Sequence, residues 1–301
     1  MLKIYIAGSD GMIGSQLFES LSESYEVIGT TYQNLDLLDY ASVYEYVHQH
    51  QPDVIILTAA KVGGGHAISS NPISFYEDNV SIQTNIMRAA CANGITRVIL
   101  LASAAIYPAE VEGKIKETDL MKGPLDHVQE SYALAKLSGV YQSRYYNQQK
   151  GTKYVTLVPA NLIANRDNGQ VVFSLMKQMM AAKQNNTPEV VLWGSGNQRR
   201  EFVFIDDVIH ALKLLLKNYD QLEFDLYNVG RDEDISIRDL SYMIKSITGY
   251  QGKLVFDASK PEGVAKRLLD SSQIMALGYQ PTADLEEGIL AIYNQVLRNQ
   301  Q

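Results

Sequence analysis

Gly8-Ser-Asp-Gly-Met-Ile-Gly14 follows directly on the short apolar run Leu2–Ala7 and opens the amphipathic run Ser15–Leu21. Three glycines, each three residues from the next, at a strand-to-helix turn have a physical use. Without side chains the backbone can turn tightly and approach a pyrophosphate, whose charge then sits at the helix N-terminus. A glycine trio alone is a weak signal, but placed after the first strand and before the first helix it becomes fairly specific. Gly8, Gly11, Met12, Ile13 and Gly14 are therefore expected to hold a dinucleotide.

Outward from that turn the first half alternates strand and helix. Tyr25–Gly29 reads as the second strand, and its end, Thr30-Thr-Tyr-Gln-Asn34, bears on the choice of nicotinamide cofactor. An acidic residue there would hold the ribose 2′-hydroxyl and repel a 2′-phosphate, whereas an Arg would welcome the phosphate. The stretch has neither, which points toward NADP(H), with Thr30 and Thr31 as neutral donors, and leaves NAD(H) open. Asp36-Leu37 stands at a position suited to the adenine ring, or Asp36 caps a turn. Asp53–Leu57 is a nearly continuous apolar strand, as expected for a sheet covered on both faces. Thr58-Ala-Ala-Lys-Val-Gly-Gly-Gly65 extends it into a loop whose small residues, Ala59 and Ala60 among them, leave room for a cofactor or simply flex. Asn71–Asn93 reads as a long helix with Pro72 near its start, and Arg97–Ala102 as a fourth strand. Ser103 then stands at that strand's carboxyl end, the edge where open parallel sheets place ligands.

The chemistry is expected on Gln129-Glu-Ser-Tyr-Ala-Leu-Ala-Lys136, because Tyr132 and Lys136 share one face of a helix. A free phenol titrates near pH ~10, too high for a good acid-base group at neutrality. A neighbouring ammonium and the positive end of a helix dipole both favour the phenolate and so are expected to lower the Tyr132 pKa. Tyr-x-x-x-Lys is a cheap pattern, however, and Tyr146 and Lys150 repeat it. What distinguishes Tyr132 is the order of the other signals: a glycine turn after the first strand, Ser103 after the fourth, and the Tyr/Lys pair on the next helix.

Bulk properties are those of an ordinary globular protein: 301 residues, 46% hydrophobic, 20% charged, enough for one large domain or two unequal ones. A formal charge of −8 without a long basic run argues against nucleic acid, so an anionic ligand must be held by a local cluster. The single cysteine, Cys91, excludes an internal disulfide, reads as a packed thiol and fits a reducing compartment. No apolar segment approaches the ~18 residues needed to span a membrane, so a cytoplasmic protein is expected.

These residues together resemble the extended short-chain dehydrogenase/reductase family, which implies a Rossmann-type doubly wound parallel sheet. By that resemblance Ser103 orients the substrate oxygen, Tyr132 is the acid, and Lys136 holds the cofactor ribose and tunes Tyr132. The resemblance narrows to the GDP-L-fucose synthases on Ala59-Ala-Lys-Val-Gly-Gly64, Ile106-Tyr-Pro108, Ser131-Tyr-Ala-Leu-Ala-Lys136, Pro159-Ala-Asn161, Trp193-Gly-Ser-Gly196, Arg200-Glu-Phe202, Asn228-Val-Gly230 and Phe256-Asp-Ala-Ser-Lys-Pro-Glu-Gly263. It implies NADPH, a GDP-linked 4-keto-6-deoxy sugar, and a homodimer formed through Asn71–Asn93 and Ser131–Asn147. Arg200 and Lys260 resemble the nucleotide contacts, and Trp193, the only Trp, would stack on guanine or ribose or else pack in the core. Asn161 and the less specific Lys177 complete the expected substrate set; solvated charges are the bland alternative for Arg200, Lys260 and Lys177.

Two departures from the pattern matter. The family places an epimerisation Cys two residues after the catalytic Ser, where this chain has Ala105, and a His before the helix that opens the substrate region, where it has Gln170. Epimerisation needs one group to remove a proton beside the ketone and another to return one on the opposite face. Neither an alanine nor a glutamine amide can do so. The expectation is a C4 keto-reductase that does not epimerise. A complete GDP-L-fucose synthase with substitute residues and a non-catalytic dinucleotide sensor are the alternatives, while a 4,6-dehydratase is disfavoured by the lack of an acid at Ala104 and Ala105.

Tyr154–Val158 is the fifth strand; beyond it Val171–Lys183 and Asp207–Leu216 read as helices and Glu189–Leu192 as a strand. Residues 1–165 are expected to bind the cofactor and 166–301 mainly the nucleotide sugar, with the chain free to cross back. Ser236-Ile-Arg-Asp239 reads as a capped helix start, and Leu285–Val296 as a helix over the core.

Overall fold

The run Val54–Leu57 is buried along its whole length because both faces of its sheet are covered. The computed structural model describes residues 1–163, 170–260 and 263–298. Its first half runs β1 (Lys3–Ala7), α1 (Met12–Ser22), β2 (Glu26–Thr30), α2 (Tyr40–His50), β3 (Val54–Leu57), α3 (Gly65–Ser70), α4 (Pro72–Ala92), β4 (Arg97–Leu101), α5 (Glu130–Lys150) and β5 (Lys153–Pro159). The second half adds β6 (Asn161–Ile163), α6 (Val171–Gln184), β7 (Glu189–Trp193), β8 (Arg199–Arg200), β9 (Phe202–Phe204), α7 (Ile205–Lys217) and β10 (Leu226–Val229). It closes with β11 (Ile235–Ser236), α8 (Ile237–Thr248), β12 (Lys253–Asp257), β13 (Lys266–Arg267), α9 (Ser272–Ala276) and α10 (Leu285–Arg298).

Six strands form one parallel sheet in the order β10-β5-β4-β3-β1-β2. Successive side chains of a strand point to opposite faces. Ile4, Ile6, Ile56 and Ile99 accordingly enter one core with Leu17 of α1 and Leu212 of α7. Tyr5, Ala7, Ile55 and Leu100 enter the other with Val43 of α2 and Ile86 of α4. Each fully buried Ile or Leu side chain contributes roughly 1.5–3 kcal/mol, so this two-sided burial is the main support of the sheet. The sheet is the expected Rossmann-type doubly wound one. Its strand order reverses between β1 and β3, which opens a crevice at their carboxyl ends.

α5 lies close against α4. A Cβ on Gly139 would come within 2.5 Å of the Gln83 side-chain oxygen, and Gln83 Nε2 donates to the Ala135 carbonyl at 2.6 Å and to Ser138 Oγ at 2.9 Å. The helix that carries Tyr132 is thus fixed in rotation by a specific contact.

The second half builds its own smaller core from Leu175 and Met179 of α6, Leu192 of β7, Leu240 and Ile244 of α8, and Ile289 of α10. It does not stay separate, because β10 pairs parallel with β5, Leu226 opposite Thr156, and so completes the first half's sheet. The expected boundary at 165/166 falls outside the described residues. Among the described residues, no helix is long and apolar enough to cross a membrane, and no group of His, Cys, Asp and Glu is placed to hold a metal.

Candidate active site

A cleft of about 1360 Å³ follows the carboxyl edge of the sheet. That exceeds the ~300–1,000 Å³ of a site for one small ligand, and gives room for a dinucleotide and a second molecule. Gly8, Gly11, Met12 and Ile13 line it, as do Asp36, Leu37, Ala59 and Ala60. Gly8 has φ +96°, and a Cβ there would lie 2.7 Å from the Ala59 nitrogen. A Cβ on Gly14 would strike the Gly8 carbonyl oxygen. No side chain caps α1, which starts just after Gly11. A cradle with no room for side chains, at an uncapped helix start, fits the pyrophosphate of a dinucleotide.

Two expectations at the adenosine side need correction or completion. Thr30 is nearly buried at the lining of the cleft and shares its hydroxyl with the Tyr5 hydroxyl at 2.7 Å. Asp36 caps a turn, accepting from the Leu38 N–H at 2.9 Å, while also lining the cleft. Thr31 lines the cleft too, beside the exposed ring of Tyr32, which sequence reasoning passed over.

Ser103 and Tyr132 meet in the same cleft, close enough for the Ser103 hydroxyl to favour the phenolate. Ser103 stands two residues past β4 and its Oγ accepts from the Ala105 N–H at 3.3 Å, capping a single 3₁₀ turn, Ala104–Ile106. Tyr132 lies in the first turn of α5. Its pKa is not lowered as expected: burial pushes it up to about 12, with the Ser103 hydroxyl pulling the other way. Lys136 does not offset that burial. This buried ammonium donates to the Leu101 carbonyl at 2.9 Å rather than to the phenol, and burial pulls its own pKa down to about 8. At neutral pH Tyr132 therefore carries a proton that it can give away. Tyr146, by contrast, packs its ring 5.6 Å from Tyr154, and Lys150 is exposed at the end of α5, an ordinary structural pair.

On the substrate side the cleft takes Asn161, Trp193 and Arg200. Trp193 is 68% exposed, so it does not pack in the core, and the Lys260 ammonium lies 5.8 Å from its ring centre. Arg200 is no solvated surface charge. Burial, and then repulsion from Arg267, hold its pKa down to about 10 against the pull of Asp126. Asn161 Nδ2 donates to the Glu201 carbonyl at 2.8 Å. Lys177 stands on the exposed side of α6 and is not among the residues that line the cleft. In the stretch from Phe256 to Gly263, Pro261 and Glu262 lie outside the described residues.

Ala105 and Gln170 both line the cleft, and so do His66 and His127. Sequence reasoning missed Asp126, Glu201 and Arg267. Glu201 is 1% exposed and accepts from the N–H groups of Arg231, Asp232 and Leu269 at 2.7–2.8 Å; burial raises its pKa to about 7. Arg267 is 7% exposed, lines the cleft and donates to the Ala104 carbonyl at 2.7 Å. The available signal was an arginine followed by Leu-Leu in an apolar setting, where a buried charge demands partners.

Residues 4–230 match the family described as NAD dependent epimerase/dehydratase. GDP-L-fucose synthase 1 of Arabidopsis thaliana is 36% identical over 99% of this chain and 94% of that protein. The GDP-L-fucose synthase of Escherichia coli (strain K12) is 35% identical over 99% and 97%. Among solved structures, MlghC, the GDP-mannoheptose C4 reductase from Campylobacter jejuni with NADP bound, is similar with a TM-score of 0.89 at 30% identity, covering 98% of each chain. Sheet, glycine cradle, Ser/Tyr pair and relatives matched over nearly their whole length agree: the chain belongs to the NAD-dependent epimerase/dehydratase family, as an extended short-chain oxidoreductase of the GDP-L-fucose synthase kind.

Proposed function

We propose that this protein is an NADPH-dependent C4 keto-reductase of a GDP-linked 4-keto-6-deoxy sugar, hexose or heptose, and that it reduces without inverting C3 or C5. One observation carries the reading. Ser103 and Tyr132 meet in a cleft where Ala105 and Gln170, also in its lining, have no proton to move. The NADP held by the Campylobacter jejuni reductase supports the choice of cofactor.

When bound, the nicotinamide supplies the hydride. Gly8, Gly11, Met12, Ile13 and Gly14 would hold the pyrophosphate, Asp36 and Leu37 would border the adenine, Ala59 and Ala60 would leave room for the rest, and Lys136, whose ammonium now donates to the Leu101 carbonyl, would turn to hold the ribose. Tyr132, protonated at neutral pH, gives its proton to the C4 oxygen, and Ser103 orients that oxygen. Loss of one such donor to a developing oxyanion costs roughly 3 kcal/mol, about a hundredfold in rate. Arg200 and Lys260 face the diphosphate, Trp193 offers a flat surface to the guanine or ribose, and Asn161 contacts the sugar; Lys177 has the weakest case. In this proposal residues 1–165 mainly serve the cofactor and 166–301 the nucleotide sugar, two copies pair through α4 and α5, and the enzyme works in the cytoplasm.

A second reading, a bifunctional epimerase-reductase, draws support from His66 and His127, two imidazoles in the cleft lining. Turnover of GDP-4-keto-6-deoxymannose in heavy water separates the two. NADPH oxidation without deuterium at C3 or C5 is the expected result; deuterium at either carbon favours the second reading.

A further inference from the structure

We infer that Asp10 sets the adenosine end of the cleft against a 2′-phosphate, so that NADH serves this enzyme as well as NADPH or better. This rests on the reductase reading above and adds NADH to its hydride donors. The hydride step is the same with either dinucleotide.

In a doubly wound sheet the adenosine ribose lies beyond the end of the second strand, where a carboxylate holds the 2′-hydroxyl and repels a phosphate in its place. β2 ends on Thr30 and offers no acid of its own. The glycine turn delivers one instead. The Ser9 N–H donates to the Thr30 carbonyl at 3.0 Å, and Ser9 Oγ donates to the same oxygen at 3.2 Å. Gly29 leaves the space for this contact, since a Cβ there would lie 2.5 Å from that of Ser9. Asp10, the next residue, is thereby fixed beside the end of β2. It is exposed in the cleft lining, with Thr31 and Tyr32 as neighbours in that stretch.

No cation offsets it. Among the described residues, the lysines and arginines of the cleft lining are Lys61, Arg200 and Arg267. Lys61 is tied to α4 by Asp78 at 2.7 Å and by Ser74, and the two arginines lie at the substrate end on β8 and β13. The neutral donors are taken as well. The Thr31 N–H donates to Asn34 Oδ1 at 2.7 Å, the Leu38 N–H donates to Asp36 Oδ1 at 2.9 Å, and the Thr30 hydroxyl pairs with that of Tyr5. Asp36 adds a second carboxylate to the same stretch of lining. Like unit charges about 4 Å apart cost roughly fivefold in affinity even in bulk water, and a doubly charged phosphate squares that factor. A ribose with a free 2′-hydroxyl meets no such repulsion and finds an acceptor in Asp10.

The test compares wild type, Asp10→Asn and Asp10→Arg. One readout is the Kd of NADH and of NADPH by fluorescence titration; the other is kcat/KM for each with GDP-4-keto-6-deoxymannose. Asp10 is exposed, so both substitutions should spare the fold. In wild type NADPH should bind no more than about tenfold more tightly than NADH, because no charged partner reaches the phosphate. Asp10→Asn should shift the Kd ratio toward NADPH by roughly fivefold or more. Asp10→Arg, which offers the phosphate a bidentate partner, should shift it on the order of a hundredfold, and the kcat/KM ratio should follow through KM. A wild type that prefers NADPH by more than about tenfold in Kd would overturn the inference, since a cation must then reach the phosphate. A ratio that Asp10→Arg leaves unchanged would also overturn it, because the ribose would then lie away from Asp10. Binding of both dinucleotides in the expected ratio without reduction of any GDP-4-keto sugar would sink the reductase reading and leave the role of Asp10 standing.

Discussion

In the proposed reading the two ends of the cleft solve the same problem, holding a diphosphate in a chain of net charge −8, in opposite ways. At the cofactor end the means is the lack of side chains, with Gly8 and Gly14 so enclosed that a Cβ would meet backbone. The nearby formal charges there are the acidic Asp10 and Asp36, and the cation that reaches this stretch of lining, Lys61, is held by Asp78 at 2.7 Å. At the substrate end the means is partly buried guanidinium: Arg200 and Arg267 on adjacent short strands, their pKa values depressed by burial. Backbone amides survive every substitution except one to proline, but can be obstructed. Guanidinium groups tolerate neighbours but can be removed.

The largest effect is expected where the two ends meet. Tyr132→Phe should lower kcat on the order of a thousandfold, the middle of the range for a general acid, while leaving the Kd values for NADPH and GDP near wild type. A large change in either Kd would mean that the phenol belongs to one end rather than to the junction. Gly14→Ala comes next. Its new Cβ would have to displace the Gly8 carbonyl, and overpacking of about 1–3 kcal/mol would weaken NADPH binding by up to roughly a hundredfold. Fluorescence titration with NADPH, set beside calorimetry with GDP, checks that only the first is affected. Arg200→Ala should show the reverse pattern, GDP binding weaker by roughly tenfold, the worth of a charged hydrogen bond, with NADPH binding unchanged. Equal damage to both ligands by either variant would end the division of labour.

The smallest effect is in the pH profile. The Lys136 pKa is depressed from its usual value to about 8, so its ammonium is present below that pH and lost above it. Tyr132, raised to about 12, keeps its proton throughout. The kcat/KM for reduction, which reports the free enzyme, should be level below neutrality and fall as pH rises through about 8. A profile level to pH 10 would show that the charge on Lys136 is not needed.

What could be read from the sequence was local. The glycine turn, Ser103 just past β4 and the start of α5 are patterns within a few residues, and the structure brings them to one edge. Long-range facts were not readable. The spacing of Tyr132 and Lys136 gives a shared helix face, but nothing in it says that Leu101 O draws the ammonium away. Thr30 looked unengaged because its partner, Tyr5, comes from a neighbouring strand. Arg267 sits on a two-residue strand, too short to have a period, and its target, Ala104, is remote in sequence. Trp193 shows the same limit: on the alternating strand β7 its exposure follows from register, which the composition of the segment does not fix.

The pairing of β10 with β5 reaches beyond catalysis. A polypeptide cut near residue 165 would end with Lys153–Pro159 as a bare apolar margin, its amide and carbonyl groups open to any passing strand, which is a template for aggregation. While the chain is being made, that margin stays uncovered until Leu226–Val229 arrives. A cofactor-binding fragment that ends there is therefore expected to be a poor unit for a fusion or a swap.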